Sequence, residues 1–143
     1  MKKLFSLLIT VAFLSGCTTL TYSEKNTIRS LKAQGISVDR PVGPWDAPNN
    51  MGAAGGLNLL PGVGNFYLAT GNGSDKSHYL YGFLNLLTWP LSILWGVPEA
   101  AIDANTINER KLVYFYTYDE SGKEALKDLG FEVSASGKLE RVH

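Results

Sequence analysis

The sequence is poor in almost everything that builds a chemical site. Its 143 residues hold one cysteine and two histidines. A single cysteine cannot close an internal disulfide, so Cys17 is either a free thiol or a modified one. The histidines, His78 and His143, lie far apart in a chain without CxxC, HExxH or clustered carboxylates. That argues against a metal centre. Gly62-Val63-Gly64 and Gly71-Asn72-Gly73 lack the rest of any phosphate-binding fingerprint, so they read as packing and turn glycines and no cofactor is expected. Net charge is missing too: 13 basic residues balance 13 acidic ones. No basic stripe exists for a nucleic acid to follow.

Charge is scarcest in the middle of the chain. Between Asp46 and Glu99 the only charged residues are Asp75 and Lys76. They sit in the turn-forming stretch Thr70 to Ser77, between two uncharged arms of about 51–69 and 79–96. This is the layout of a helical hairpin spanning 51–103, with His78 at its tip. Each arm approaches the roughly 20 residues that cross a bilayer core. The second arm is apolar nearly all round, as in a buried or membrane-embedded helix. Its one exception is a small or polar stripe, Asn85, Thr88, Ser92 and Gly96. The first arm has its counterpart in Gly55, Asn58, Gly62, Asn65 and Ala69. The arms are expected to pack along these stripes, because small residues let backbones approach and amides bond across the contact. Pro61 and Pro90 should bend each arm or break it into shorter segments.

The N-terminus carries the clearest signal. Lys2 and Lys3 precede an apolar run from Leu4 to Leu14, then small residues lead to Cys17. This is the pattern of a cleaved export signal, too short and too terminal for a spanning helix. Leu14-Ser15-Gly16-Cys17 resembles the bacterial lipobox. The resemblance implies removal of residues 1–16, diacylglycerol transfer to the Cys17 thiol, and N-acylation of the new terminus by a palmitate-like chain. Loss of Lys2 and Lys3 leaves 11 basic against 13 acidic groups, a mildly acidic mature chain. Thr18 follows the cysteine where an aspartate would favour inner-membrane retention. The resemblance therefore favours a lipid-anchored protein on the periplasmic face of the outer membrane, with the inner membrane as the alternative. Spanning helices normally stop in the inner membrane, which conflicts with that placement. The expectation preferred here is that the arms lie in the lipid surface or are buried in an oligomer.

The flanks are shorter pieces. Residues 17–22 read as a polar tether, lipidated at its start. Within 23–50, Ser23 is the expected N-cap of a helix reaching Gln34, with Gly35 closing it and Ile36 to Val38 as a brief strand. Three prolines make 40–50 an irregular connector. Residues 104–143 form a C-terminal helix/strand segment. Leu126-Lys127-Asp128-Leu129-Gly130-Phe131-Glu132-Val133 repeats the pattern of 31–38, and either this is a common helix stop or the two units pair. The chain after Ser134 is expected to be a flexible tail. Glu99 and Asp103, one turn apart after Pro98, are either a solvated helix start, the preferred reading, or an acid pair. Tyr114 to Tyr118 reads as an element covering a core or lying at a lipid interface in preference to a sugar- or base-stacking surface.

The fold class is thus mainly α: a central apolar hairpin, short flanking helix–strand units and an N-terminal tether. Gly62-Val63-Gly64-Asn65-Phe66-Tyr67-Leu68-Ala69, the polar turn, Tyr81-Gly82-Phe83-Leu84-Asn85-Leu86-Leu87-Thr88 and Asp103 resemble the bacterial two-transmembrane-helix domain family over about residues 52–104. Ala69, Pro90 and Pro98-Glu99 depart from its pattern, and the likeness implies architecture rather than activity. The function expected is a non-enzymatic envelope lipoprotein whose hairpin associates with membrane or with other copies. The alternatives are a periplasmic adaptor in a larger envelope assembly, or an enzyme on envelope lipid or peptidoglycan using Glu99 and Asp103.

Overall fold

The computed structural model describes residues 18–71 and 75–142. The leader and Cys17 lie outside these, as do residues 72–74 of the turn. The fold is mainly α, with six helices and one two-stranded sheet among the described residues. The helices are α1 (Tyr22–Ala33), α2 (Met51–Leu57), α3 (Val63–Thr70), α4 (His78–Leu87), α5 (Ile93–Tyr118) and α6 (Glu120–Asp128), followed by β1 (Phe131–Val133) and β2 (Leu139–Arg141). The described chain divides into two compact units. Thr18 and Asn49–Ala104 make the first, and Thr19–Pro48 with the chain from Asn105 make the second.

The first unit is the expected hairpin, with each arm broken at its proline. Arm one is α2 and α3, separated by turns through Leu59, Leu60 and Pro61. Arm two is α4 and the start of α5, separated by the turns around the cis Trp89–Pro90 bond. Proline lacks the amide that would continue the helix ladder, so each arm restarts one turn later. Hydrogen bonds within the breaks, such as Leu60 N to Leu57 O at 3.1 Å and Leu91 N to Thr88 O at 3.1 Å, keep these backbone amides paired. α4, with 10 residues, is about 15 Å long at 1.5 Å per residue, half a bilayer core. No helix among the described residues is long and apolar enough to cross a membrane. Arm length read from the sequence thus overstated helix length, because each arm is two helices.

The second unit has an ordinary apolar core. Ile28 and Leu31 of α1, Ile36, Leu112, Val113, Phe115 and Tyr116 of α5, and Leu126 of α6 are buried together. Tyr116 ties Val42, near the start of the irregular 40–50 connector, to this core, since its hydroxyl accepts from Val42 N at 2.7 Å and donates to Val42 O at 3.0 Å. The N-cap of α1 is Thr21 rather than Ser23. Its side chain accepts from Glu24 N while Glu24 accepts from Thr21 N, a reciprocal capping box. Ser23 sits inside the first turn.

Both glycine-stopped units end their helices as expected, with Gly35 and Gly130 at φ +79. Their continuations differ. Phe131–Val133 is a strand, whereas Ser37 only bridges to Arg40 in a tight turn before Pro41, which leaves no length for one. The two units do not pair strand to strand. β1 pairs instead with β2, in the register Phe131 to Arg141 and Val133 to Leu139. The tail expected to be flexible after Ser134 therefore closes a hairpin. Ser134 N donates to Lys138 O at 2.8 Å, and Gly137 takes the positive φ the turn requires.

Candidate functional site

The first unit is built inside out. Its buried apolar side chains are mostly alanines (Ala54, Ala69, Ala100, Ala104) with Leu68, while Asn58, Asn65, His78, Asn85, Ser92 and Asp103 are buried among them. On α4 the buried residues are His78, Gly82 and Asn85, spaced along one helical stripe. Tyr79, Leu80, Phe83, Leu86 and Leu87 are exposed. A helix of a water-soluble domain has the opposite polarity. Of seventeen exposed large hydrophobic residues among the described ones, thirteen lie between Met51 and Ile102.

The polar interior is organised by three asparagines, all on the stripes read from the sequence. The Asn65 carbonyl oxygen accepts from Asn58 Nδ2 at 2.9 Å and from Asn85 Nδ2 at 2.8 Å. Asn58 Nδ2 also donates to Gly96 O, and its Oδ1 accepts from Gly64 N at 2.9 Å. Asn85 Oδ1 accepts from Trp95 Nε1 at 3.1 Å. Glycines make this possible. A Cβ at Gly62 would stand 2.2 Å from Gly82 O, and one at Gly64 would stand 2.1 Å from Ala54 O. Backbone-close packing with side-chain amides across it is how helices associate when there is no water to squeeze out.

At one end of this interior lies a second cluster. Thr18 N donates to Asp103 Oδ1 at 2.8 Å, and Thr18 Oγ1 lies 3.2 Å from His78 Nε2. His78 Nδ1 and Asp103 Oδ2 are 3.9 Å apart, and both side chains are fully buried. His78 follows the turn at the hairpin tip, as expected, but is buried there, and Asp103, expected on a solvated helix start, is buried as well. The helix begins earlier, at Ile93, so Pro98 lies inside it and Asp103 falls on its inner side. Asp75 folds its carboxylate back onto Ser77 N and Oγ, and the following residue, His78, is carried inward.

Burial sets the ionisation of the cluster. Glu99 is pushed up to about 7, first by burial and then by the neighbouring Asp103, with a bond from Asn85 opposing. Asp103 is pushed up to about 6 by burial, opposed by the Thr18 amide and aided by Asp75. His78 is lowered, again chiefly by burial, with Asp75 opposing. Glu99 and Asp103 therefore bind protons more tightly when folded. They add stability that is fully present below their ordinary range near 4 and is lost as pH rises through about 6 to 7. The buried neutral His78 acts oppositely, losing stability as pH falls below 6.5. We expect the melting temperature to rise as pH is lowered from 8 to about 5. Glu99→Gln should flatten that slope and raise the melting temperature at pH 8. A pH series of thermal melts whose slope is the same in both proteins would contradict this.

Thr18, His78 and Asp103 run in the order hydroxyl, imidazole, carboxylate, the order of a nucleophilic triad. At 3.9 Å the imidazole–carboxylate leg is too long to fix the ring for proton relay. Among the described residues no group of three or more His, Cys, Asp or Glu could hold a metal ion. The aromatic run lies on α5, where Phe115 and Tyr116 enter the core of the second unit and Tyr114 and Tyr118 stay outside with their rings 5.0 Å apart. Cys17, the residue expected to carry lipid, lies outside the described residues. The Thr18–His78–Asp103 contact was not legible in the sequence; the oddity of an acid one turn after Pro98-Glu99 was the only hint. No protein-family model, curated protein or solved structure matches this chain.

Proposed function

We infer that this chain is a non-enzymatic, lipid-anchored protein of the bacterial cell envelope, acylated at Cys17, whose first unit lays its apolar surface in a membrane leaflet. The observation that carries this reading is the inverted polarity of α4: polar and small residues inside, Leu80, Phe83 and Leu87 outside. An uncharged apolar surface of this extent, beside an N-terminus with a lipobox, calls for a lipid or protein cover. A helix of ten residues, followed by a break in which the amides of Leu91, Ser92 and Ile93 are internally paired, suits an interfacial or half-inserted position. The resemblance to the two-transmembrane-helix family is retained in this form, as a related layout of two arms with each arm segmented. Thr18 after the cysteine favours the periplasmic face of the outer membrane, and the inner membrane is the alternative.

Two attachments are thus proposed, one covalent and one through the apolar surface. Alkaline extraction of membranes tests both. The acylated protein should resist extraction, and Cys17→Ala should remain partly membrane-bound. A Cys17→Ala protein recovered wholly in the soluble fraction would remove the second attachment.

The adaptor reading draws on the second unit. There a cavity of about 510 Å³ is lined by Glu24, Arg110, Tyr114, Thr117, Tyr118 and Ser134. A stoichiometric partner protein bound to this unit would favour the adaptor.

A further inference from the structure

Two fully buried ionisable side chains are expensive to keep unless something requires them. His78 and Asp103 are such a pair, and among the described residues the hydrogen bonds that engage them with another side chain or a distant amide go to one residue, Thr18. Thr18 is the residue that follows the lipobox cysteine. The pair also keeps unused capacity: His78 Nδ1 and Asp103 Oδ2 are buried without a hydrogen-bond partner. Open polar atoms in a buried site call for a partner group.

We propose that His78 and Asp103 form a receptor for the processed N-terminus, gripping Thr18 so that the lipid on Cys17 leaves the folded unit beside the first turn of α4. The proposal rests on the reading of Cys17 as the acylated residue. Consecutive Cα atoms are about 3.8 Å apart, so the lipidated residue cannot stray far from a held Thr18. His78 is the first residue of α4, and the outward-facing Tyr79 and Leu80 follow it directly. The acyl chains and the apolar surface are thereby delivered to the same leaflet. The two histidine and aspartate side chains are positioning residues: they act on the membrane only through the anchor they hold. The groups facing them are Thr18, Asp75, Glu99 and the ring of Tyr81, and the grip on Thr18 is made through its peptide amide and hydroxyl.

Hydrogen exchange of the acylated mature protein in detergent micelles, resolved to the Thr18 amide, tests this. The Thr18 amide should exchange on the order of tenfold or more slowly than in Asp103→Ala, in keeping with loss of a bond to a buried carboxylate. Asp103→Asn, which keeps an acceptor, should fall between the two. Protection along α4 and α5 should stay unchanged in both, whereas a merely structural role would loosen those helices together with Thr18. Equal Thr18 exchange in the native and Asp103→Ala proteins would overturn the proposal. If Asp103→Ala does not fold, Thr18→Val gives a second route. It removes the hydroxyl beside His78 without entering the core, and must shift the His78 Nε2 resonance; an unmoved resonance counts equally against the grip. Mass measurement of the mature N-terminus separates the two readings. An unmodified Cys17 sinks the lipoprotein function, while the exchange data alone decide whether Thr18 is held.

Discussion

Gly64→Ala should all but abolish folding of the first unit. A Cβ at this position would lie 2.1 Å from the Ala54 carbonyl oxygen and 3.0 Å from the side chain of Asn58. The obstructing atom is backbone, so relief requires α2 to move away from α3. That movement breaks the bond from Gly64 N to Asn58 Oδ1 and pulls Asn58 off Asn65 and Gly96. Overpacking against backbone, together with stranded buried amides, costs about 3 kcal/mol or more. That is a large share of the roughly 5–15 kcal/mol by which domains are stable. The expected readout is a fall in melting temperature of roughly 10 °C or more, or no cooperative transition. Gly56→Ala is the matched control, since a Cβ there meets nothing within 4 Å. In the last turns of α2 it should be neutral or stabilising by up to about 1 kcal/mol, because alanine is the better helix former. Equal effects from the two substitutions would mean that the close approach of α2 and α3 is not what holds the unit.

Leu80→Asp combined with Leu87→Asp should leave the fold intact and remove membrane association. Both side chains are mostly exposed, at 62% and 75%, so neither supports the core. If they enter lipid, each leucine contributes about 1.5–3 kcal/mol of transfer free energy. Replacing two with carboxylates should lower partitioning onto phospholipid vesicles about a hundredfold or more. The comparison belongs in the Cys17→Ala background, where acyl chains cannot mask the loss. Unchanged vesicle binding would show that the α4 surface stays out of the bilayer. Should the parent protein be oligomeric without lipid and the double variant monomeric, the same surface is covered by a second copy instead.

The sequence was most informative where a single residue type has one physical use. Pro61 and Pro90 foretold the segmented arms, because a missing amide ends a ladder whatever surrounds it. Gly35 and Gly130 foretold two helix ends for the same local reason, a positive φ that other residues resist. The asparagine and glycine stripes foretold the contact of arm one with arm two, since spacing along a helix fixes which side chains share a face.

Three features needed the tertiary structure. Asn85 stands on a stripe that the sequence already turned toward arm one, but only packing decided that His78 and Gly82 join it inside. β2 has no strong pattern of its own, and it exists because β1 supplies a partner at the right register. Asp103 and His78 are 25 positions apart and Thr18 a further 60 before His78, so no local rule could join them. The sequence by itself determined where the chain breaks and which stripes meet, because these follow from local sterics and from side-chain spacing along a helix. That His78 and Asp103 lie inside, and that Thr18 touches both, was decided only when distant segments competed for the same small volume.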